Sequence, residues 1–150
     1  MGGYGGSSGR VKDKCYYDTG GHKVTDKNSI EVAEHYINEG KRVAFLQEKP
    51  PEKRADLSVE GIHVEVKGMI STKPNRFKNN IREAFEQIEA DLSRYSKDKR
   101  KPGKVVILSK HENFEEGYNA ACEGYKEAKR QGYVKGTVEF WHNGKIYILE

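Results

Sequence analysis

The chain has 150 residues, of which 35% are hydrophobic and 33% are charged, and this balance is typical of one small globular domain with a modest core. No run of about eighteen apolar residues is present, and the first residues include no apolar stretch, so we expect neither a membrane-spanning segment nor a cleavable signal peptide. The formal net charge is a mild +4, and the two cysteines are isolated, so composition predicts neither a disulfide framework nor a cysteine metal site.

Residues 1–27 begin with MGGYGGSSGR and are rich in Gly and Ser. Such a segment has too little apolar surface to offset the entropy of an ordered chain, so it predicts a flexible linker. We therefore expect the folded domain at 28–150. A linker of this kind is typical of a domain that ends a larger polypeptide.

Capping residues at 26–29 predict a first helix that ends at about Asn38. Glu31 and Glu34 are three positions apart, so both can flank its apolar stripe and one could reach a neighbouring element. Either glutamate alone is equally well explained as an ordinary surface acid.

The segment ADLSVEGIHVEVK, residues 55–67, predicts a β-hairpin around the turn Glu60-Gly61. This register places Asp56 opposite Glu65, where like charges destabilise the strand pair unless something compensates them. Because side chains alternate along a strand, Lys67 shares the face of Glu65, and Ile62, Val64 and Val66 point the other way.

This grouping suits metal-assisted hydrolysis of a phosphodiester. Two carboxylates are suitable ligands for a hard cation such as Mg²⁺, with Mn²⁺ or Zn²⁺ as alternatives, and a neighbouring lysine can orient the nucleophile. The alternative interpretation is a surface hairpin with charged residues on its solvent side.

The rest of the chain predicts alternating strands and helices. Thr72 is the expected cap of a helix that starts near Pro74. The other expected elements are a strand at 42–46, the buried helical stripe Phe77, Ile81, Phe85, Ile88 and Leu92, a central strand at 105–108, a helix at 114–130, and a hairpin that joins 137–141 to 145–149 through Asn143-Gly144.

Positive charge is concentrated between Lys73 and Lys104, where ten Lys and Arg residues stand against five Asp and Glu residues. Such a segment fits a polyanionic partner, although a solvated charged helix explains it equally well. The expected phosphate contacts are Lys73, Arg76, Lys78 and Arg82.

Asp56 followed by Glu65-Val66-Lys67 resembles the PD-(D/E)xK nuclease signature, with Ala55 in place of the proline. With the flanking helices and strands, most of residues 28–150 resemble the C-terminal tRNase domains of contact-dependent growth-inhibition toxins. This resemblance agrees with the predicted single α/β domain, a mixed central β-sheet flanked by helices.

The resemblance implies a metal-dependent ribonuclease that cleaves tRNA. In it Asp56 and Glu65 bind the cation with help from Glu31, Lys67 orients or activates water, and Gln87 holds the lysine, a water or a phosphate. It also implies secretion within a larger effector, action in the cytoplasm of a target bacterium, and neutralisation by a small cognate immunity protein.

Two other functions fit the same residues. The first is a metal-dependent DNA endonuclease with the same fold, because this site cuts DNA in other members of the superfamily. The second is a non-catalytic nucleic-acid-binding module, which predicts salt-sensitive binding without turnover.

Overall fold

The structure is a computed structural model that describes residues 14–50 and 52–150. It contains three helices, a short 3-10 helix and six strands in this part of the chain. The elements are α1 (Lys27–Asn38), β1 (Val43–Phe45), β2 (Leu57–Val59), β3 (Ile62–Met69), α2 (Pro74–Leu92), the 3-10 helix (Lys97–Lys99), β4 (Lys104–Ser109), α3 (Phe114–Arg130), β5 (Thr137–His142) and β6 (Lys145–Ile148).

The strands form one mixed sheet in the order β1-β2-β3-β4-β5-β6. The β3-β4 and β4-β5 pairs are parallel, and the other three pairs are antiparallel. Both predicted hairpin turns are confirmed, because Glu60, Gly61, Asn143 and Gly144 all have positive φ angles, as a two-residue turn of this kind requires. The predicted α/β domain with a mixed sheet is therefore confirmed.

Each face of the sheet is covered by helices. Helices α2 and α3 pack on one face with Val105, Ile107 and Phe140 of the sheet, and α1 packs on the other with Val64 and Val66. Since Val64 and Val66 belong to the α1 face, the alternation of β3 directs Glu65 and Lys67 toward α2. The predicted division of β3 into an apolar and a polar face is thus confirmed.

Residues 1–13 of the predicted linker lie outside the described residues. The packed part of the chain begins before residue 28, because the Tyr16 ring lies 5.3 Å from the Phe45 ring and Val24 packs on the α1-side core. The predicted cap Thr72 is wrong: Lys73 is the N-cap of α2 and makes no capping hydrogen bond with its side chain. The missing cap is offset by Pro74, whose fixed φ angle favours a helix start.

Helices α2 and α3 are in close contact at Gly124. A Cβ atom at this position would lie 2.5 Å from the carbonyl oxygen of Pro74 and 2.6 Å from Cβ of Phe77. Because backbone atoms of α2 cannot move aside cheaply, only glycine fits here.

No helix in the described ranges is both long and apolar enough to cross a membrane.

We predict that Gly124→Ala lowers the free energy of unfolding by about 1–3 kcal/mol through overpacking, despite the better helix propensity of alanine. Gly117→Ala on the same helix is the matched control, since its Cβ would meet Phe140 at an ordinary 3.4 Å. Urea unfolding of both variants measures the difference. Equal stability of the two variants would contradict the tight contact.

Candidate metal and nucleic-acid site

Asp56 is held at the point where β2 begins. The strand register pairs Leu57 with Val64, so the next pair toward the open end of the hairpin is Asp56 with Glu65, as predicted. Oδ2 of Asp56 accepts a hydrogen bond of 2.8 Å from the backbone N–H of Val66. The Asp56 carboxylate therefore takes the place of a further β2 residue along the edge of β3.

The carboxyl groups of Asp56 and Glu65 lie close enough to affect each other's pKa, with Glu65 buried and Asp56 half-buried. Glu65 is 7% exposed, and its buried Oε1 has no hydrogen-bond partner among residues 14–50 and 52–150. Burial and then the charge of Asp56 raise the pKa of Glu65 to about 9. Burial also raises the pKa of Asp56, against the hydrogen bond from Val66. Without a cation the pair therefore keeps a proton at neutral pH.

Lys67 is the cation nearest to this pair. Its Nζ lies 3.9 Å from Oε2 of Glu65, and its side chain is 25% exposed. The charge of Lys67 lowers the pKa of Glu65, but burial and Asp56 outweigh it. A partly exposed ammonium group beside this pair can contact both a ligand at the surface and the buried Glu65.

The predicted third carboxylate, Glu31, does not join the pair. Its Oε1 is 3.2 Å from Nζ of Lys110, and its side chain is 56% exposed. Glu34, the other glutamate that flanks the apolar stripe of α1, accepts a hydrogen bond of 2.9 Å from the Tyr16 hydroxyl. Accordingly, the described residues contain no ready-made group of three His, Cys, Asp or Glu side chains that could hold a metal ion.

The first turn of α1 lies against the end of β3. A Cβ at Gly68 would lie 2.5 Å from Nδ2 of Asn28, which places the first turn of α1 against the end of β3. The negative charge of Asp26 contributes to the raised pKa of Asp56. The sequence identified Asp26 only as a helix cap, and its oxygens do accept from Asn28 and Ser29.

Gln87 contacts the segment that leads to Asp56 instead of Lys67. Its Nε2 donates to the carbonyl oxygen of Arg54 at 2.8 Å and to Oε2 of Glu48 at 3.0 Å. These two contacts use both N–H groups of the amide. Gln87 therefore acts on the backbone before Asp56 in this structure.

A second carboxylate near the site, the buried Asp91, was not predicted from the sequence. It is fully buried and accepts from Nε of Arg54 at 3.0 Å, from the N–H of Ala55 at 3.1 Å and from Nδ1 of His63 at 2.5 Å. Burial would raise the pKa of Asp91, but the hydrogen bonds from His63, Ala55 and Arg54 lower it overall. The only sequence signal was one acid beside Leu92 at the border of an apolar stripe.

The predicted phosphate-binding residues occupy two sides of α2. Lys73 and Arg76 lie at its beginning, on the helical border that also carries Gln87. Lys78 faces α3, where its charge contributes to the lowered pKa of Glu127 after the larger effect of the Arg130 hydrogen bond.

Arg82 is directed toward Tyr133, which follows the end of α3, rather than toward the carboxylate pair. Its guanidinium carbon lies 5.9 Å from the Tyr133 ring centroid, and its Nε lies 3.9 Å from Oε2 of Glu86. Lys101, which follows the 3-10 helix, lies near the start of β3, because its Nζ approaches the Gly61 turn. The positive charge of 73–104 is therefore distributed over separate surfaces.

Comparisons with protein families, with curated proteins and with solved structures found no match to this chain. Function therefore has to be inferred from the side chains of the site themselves. The chemical features that distinguish the site are a buried glutamate beside a half-buried aspartate, one glutamate oxygen without a hydrogen-bond partner in the described residues, and an adjacent lysine.

We predict that Glu65→Gln stabilises the protein at pH 7.5 in EDTA by about 1–3 kcal/mol, because an amide needs no proton and can donate to Asp56. The folded-state pKa of Glu65 is raised to about 9, so folding retains a proton that the unfolded chain releases above its ordinary value of 4.5. Wild-type stability should therefore fall as the pH rises from 5 to 8, and the variant should lose less.

Chemical denaturation across this pH range measures both effects. The matched control is Glu123→Gln, which makes the same replacement on the exposed side of α3. A wild-type protein and a Glu65→Gln variant with parallel pH profiles would contradict the buried carboxylate pair.

Proposed function

We propose that this chain is a metal-dependent nuclease of the PD-(D/E)xK type that cleaves tRNA, as the toxin domain of a contact-dependent growth-inhibition effector. The observation that supports the nuclease chemistry is the pair of half-buried Asp56 and buried Glu65 with Lys67 beside it. The choice of tRNA, the delivery within a secreted effector and the cognate immunity protein rest on the sequence resemblance.

The residues present fit a divalent cation. Asp56 and Glu65 supply oxygen ligands of the kind that Mg²⁺ or Mn²⁺ prefers, and Oε1 of Glu65 has no other partner in the described part of the chain. We leave Glu31 out of this set because Lys110 engages it. When bound here, the cation would supply Lewis acidity toward a phosphate oxygen and an attacking water.

The side chains around the pair have separate roles in this proposal. Lys67 orients the attacking water and neutralises the negative charge that develops on the phosphate. Lys73 and Arg76 hold neighbouring phosphates, because the beginning of α2 follows the end of β3 within five residues. Such phosphate contacts position a nucleic acid without reading its sequence.

We predict that Asp56→Ala and Lys67→Ala each lower cleavage of purified tRNA in Mg²⁺ or Mn²⁺ by about 100-fold or more, because each removes a charge needed in the transition state. Gel analysis of cleavage rates makes the measurement. The matched controls Glu123→Ala and Lys126→Ala remove exposed charges on α3 and should retain wild-type rates.

The same assay separates the other functions. Nicking of plasmid DNA with tRNA left intact would replace the tRNase by a DNA endonuclease. Salt-sensitive binding of tRNA without cleavage at any metal concentration would indicate a binding module. Undiminished cleavage by both Asp56→Ala and Lys67→Ala would remove this site from the mechanism.

We also predict that the phosphate contacts divide along α2. In an Asp56→Ala background, replacing Lys73 and Arg76 with alanine should weaken tRNA binding by about 10-fold and reduce the slope of log affinity against log salt by about 1–2. The matched double replacement of Lys78 and Arg82 should change neither value appreciably, because these residues face α3.

Filter binding at several salt concentrations provides these values, with circular dichroism as a check that both double variants fold. An equal loss of affinity in the two double variants would place the nucleic acid across both borders of α2 instead.

A further inference from the structure

The peptide unit between Arg54 and Ala55, one residue before Asp56, is hydrogen-bonded at both its carbonyl and its N–H group by side chains of α2. Its carbonyl group, from Arg54, accepts from Nε2 of Gln87 at 2.8 Å. Its N–H group, from Ala55, donates to Oδ2 of Asp91 at 3.1 Å. Gln87 and Asp91 are four residues apart, so they lie one above the other on a single border of α2.

The Asp91 end of this arrangement is fixed by further contacts. Oδ2 of Asp91 also accepts from Nδ1 of His63, and Oδ1 accepts from Nε of Arg54. The second guanidinium nitrogen donates to the Tyr95 hydroxyl at 2.9 Å. Because His63 lies on β3 two residues before Glu65, one carboxylate of α2 ties the segment before Asp56 to the strand that carries Glu65.

We propose that Gln87 and Asp91 form a clamp that positions Asp56 against Glu65. They are positioning residues, because they contact the backbone before Asp56 rather than the site proposed to take the metal. The inference rests on the proposed function in that the clamp serves cation binding. It assigns to Asp91 a role that the sequence did not indicate, and to Gln87 a role other than contact with Lys67, water or phosphate.

The clamp matters when both carboxyl groups are ionised, as cation binding requires, because two like charges then disfavour their own proximity. Asp56 follows the loop that joins β1 to β2, and loop backbone without fixed partners would let a repelled carboxylate turn away toward solvent. Holding the preceding peptide unit keeps Asp56 at the edge of β3, where it accepts from the Val66 N–H. The site is thereby organised before a cation arrives.

The test uses Gln87→Met, which keeps the size of the side chain but removes both donors. If the clamp positions Asp56, the Val66 N–H loses its carboxylate partner for part of the time, and its hydrogen exchange should become about 10-fold faster. The affinity for Mn²⁺ alone, measured by titration calorimetry, should fall by about 10-fold, as is typical when residues behind metal ligands are removed.

Asp91→Asn is the second variant, and it should show the same two changes, because an amide cannot accept on both sides. Glu48→Ala is the matched control: it removes the other partner of Gln87 and leaves the clamp intact, so both values should stay at wild-type levels. Ile88→Val controls for loss of stability, since it shortens a fully buried side chain of α2 without touching the clamp.

Unchanged Val66 exchange in Gln87→Met and Asp91→Asn would overturn the clamp, as would the same acceleration in Ile88→Val. The readouts also separate this inference from the proposed function. A wild-type protein that binds no Mn²⁺ or cuts no tRNA contradicts the nuclease, whereas the Val66 exchange still decides whether Gln87 and Asp91 hold Asp56 in place.

Discussion

Asp56 and Glu65, two carboxyl groups that repel each other when both are ionised, are kept side by side in a largely buried site. Isolated strands would not maintain this arrangement, because like charges opposite each other destabilise a strand pair. The fold supplies the constraint from both sides. The β2-β3 register fixes where Asp56 emerges, and the buried parallel pairing of β3 with β4 fixes Glu65.

The sheet topology determines which residues meet around this pair. Since β3 and β4 are parallel, α2 must begin near the end of β3 and run back along the sheet to the start of β4. Its first turn therefore brings Lys73 and Arg76 near the end of β3, and its last turns bring Gln87 and Asp91 to the segment before Asp56. One helix thus provides both the basic surface and the support of the carboxylate pair.

Features encoded within a few neighbouring residues could be predicted from the sequence, and features that depend on packing between helices could not. The turn at Glu60-Gly61 sets the hairpin register by itself, and this register brought Asp56 and Glu65 together. In contrast, Asp91 meets a histidine 28 residues away in the chain, which no local pattern indicates. Similarly, helical periodicity places Lys78 and Arg82 on one border of α2, but only the packing of α3 shows that this border faces another helix.

Asp91 shows that this fold can supply hydrogen-bond donors to a buried carboxylate, whereas Glu65 is left without a full set of partners. Asp91 is fully buried, yet three donors lower its pKa and leave it ionised. Glu65 lies on β3 beside another acid, Asp56, and its pKa is raised. One of its oxygens has no hydrogen-bond partner in the described residues. Two neighbouring acids whose surroundings shift their pKa values in opposite directions are typical of catalytic sites. The incomplete satisfaction of Glu65 therefore supports a cation site more strongly than the presence of acidic residues does.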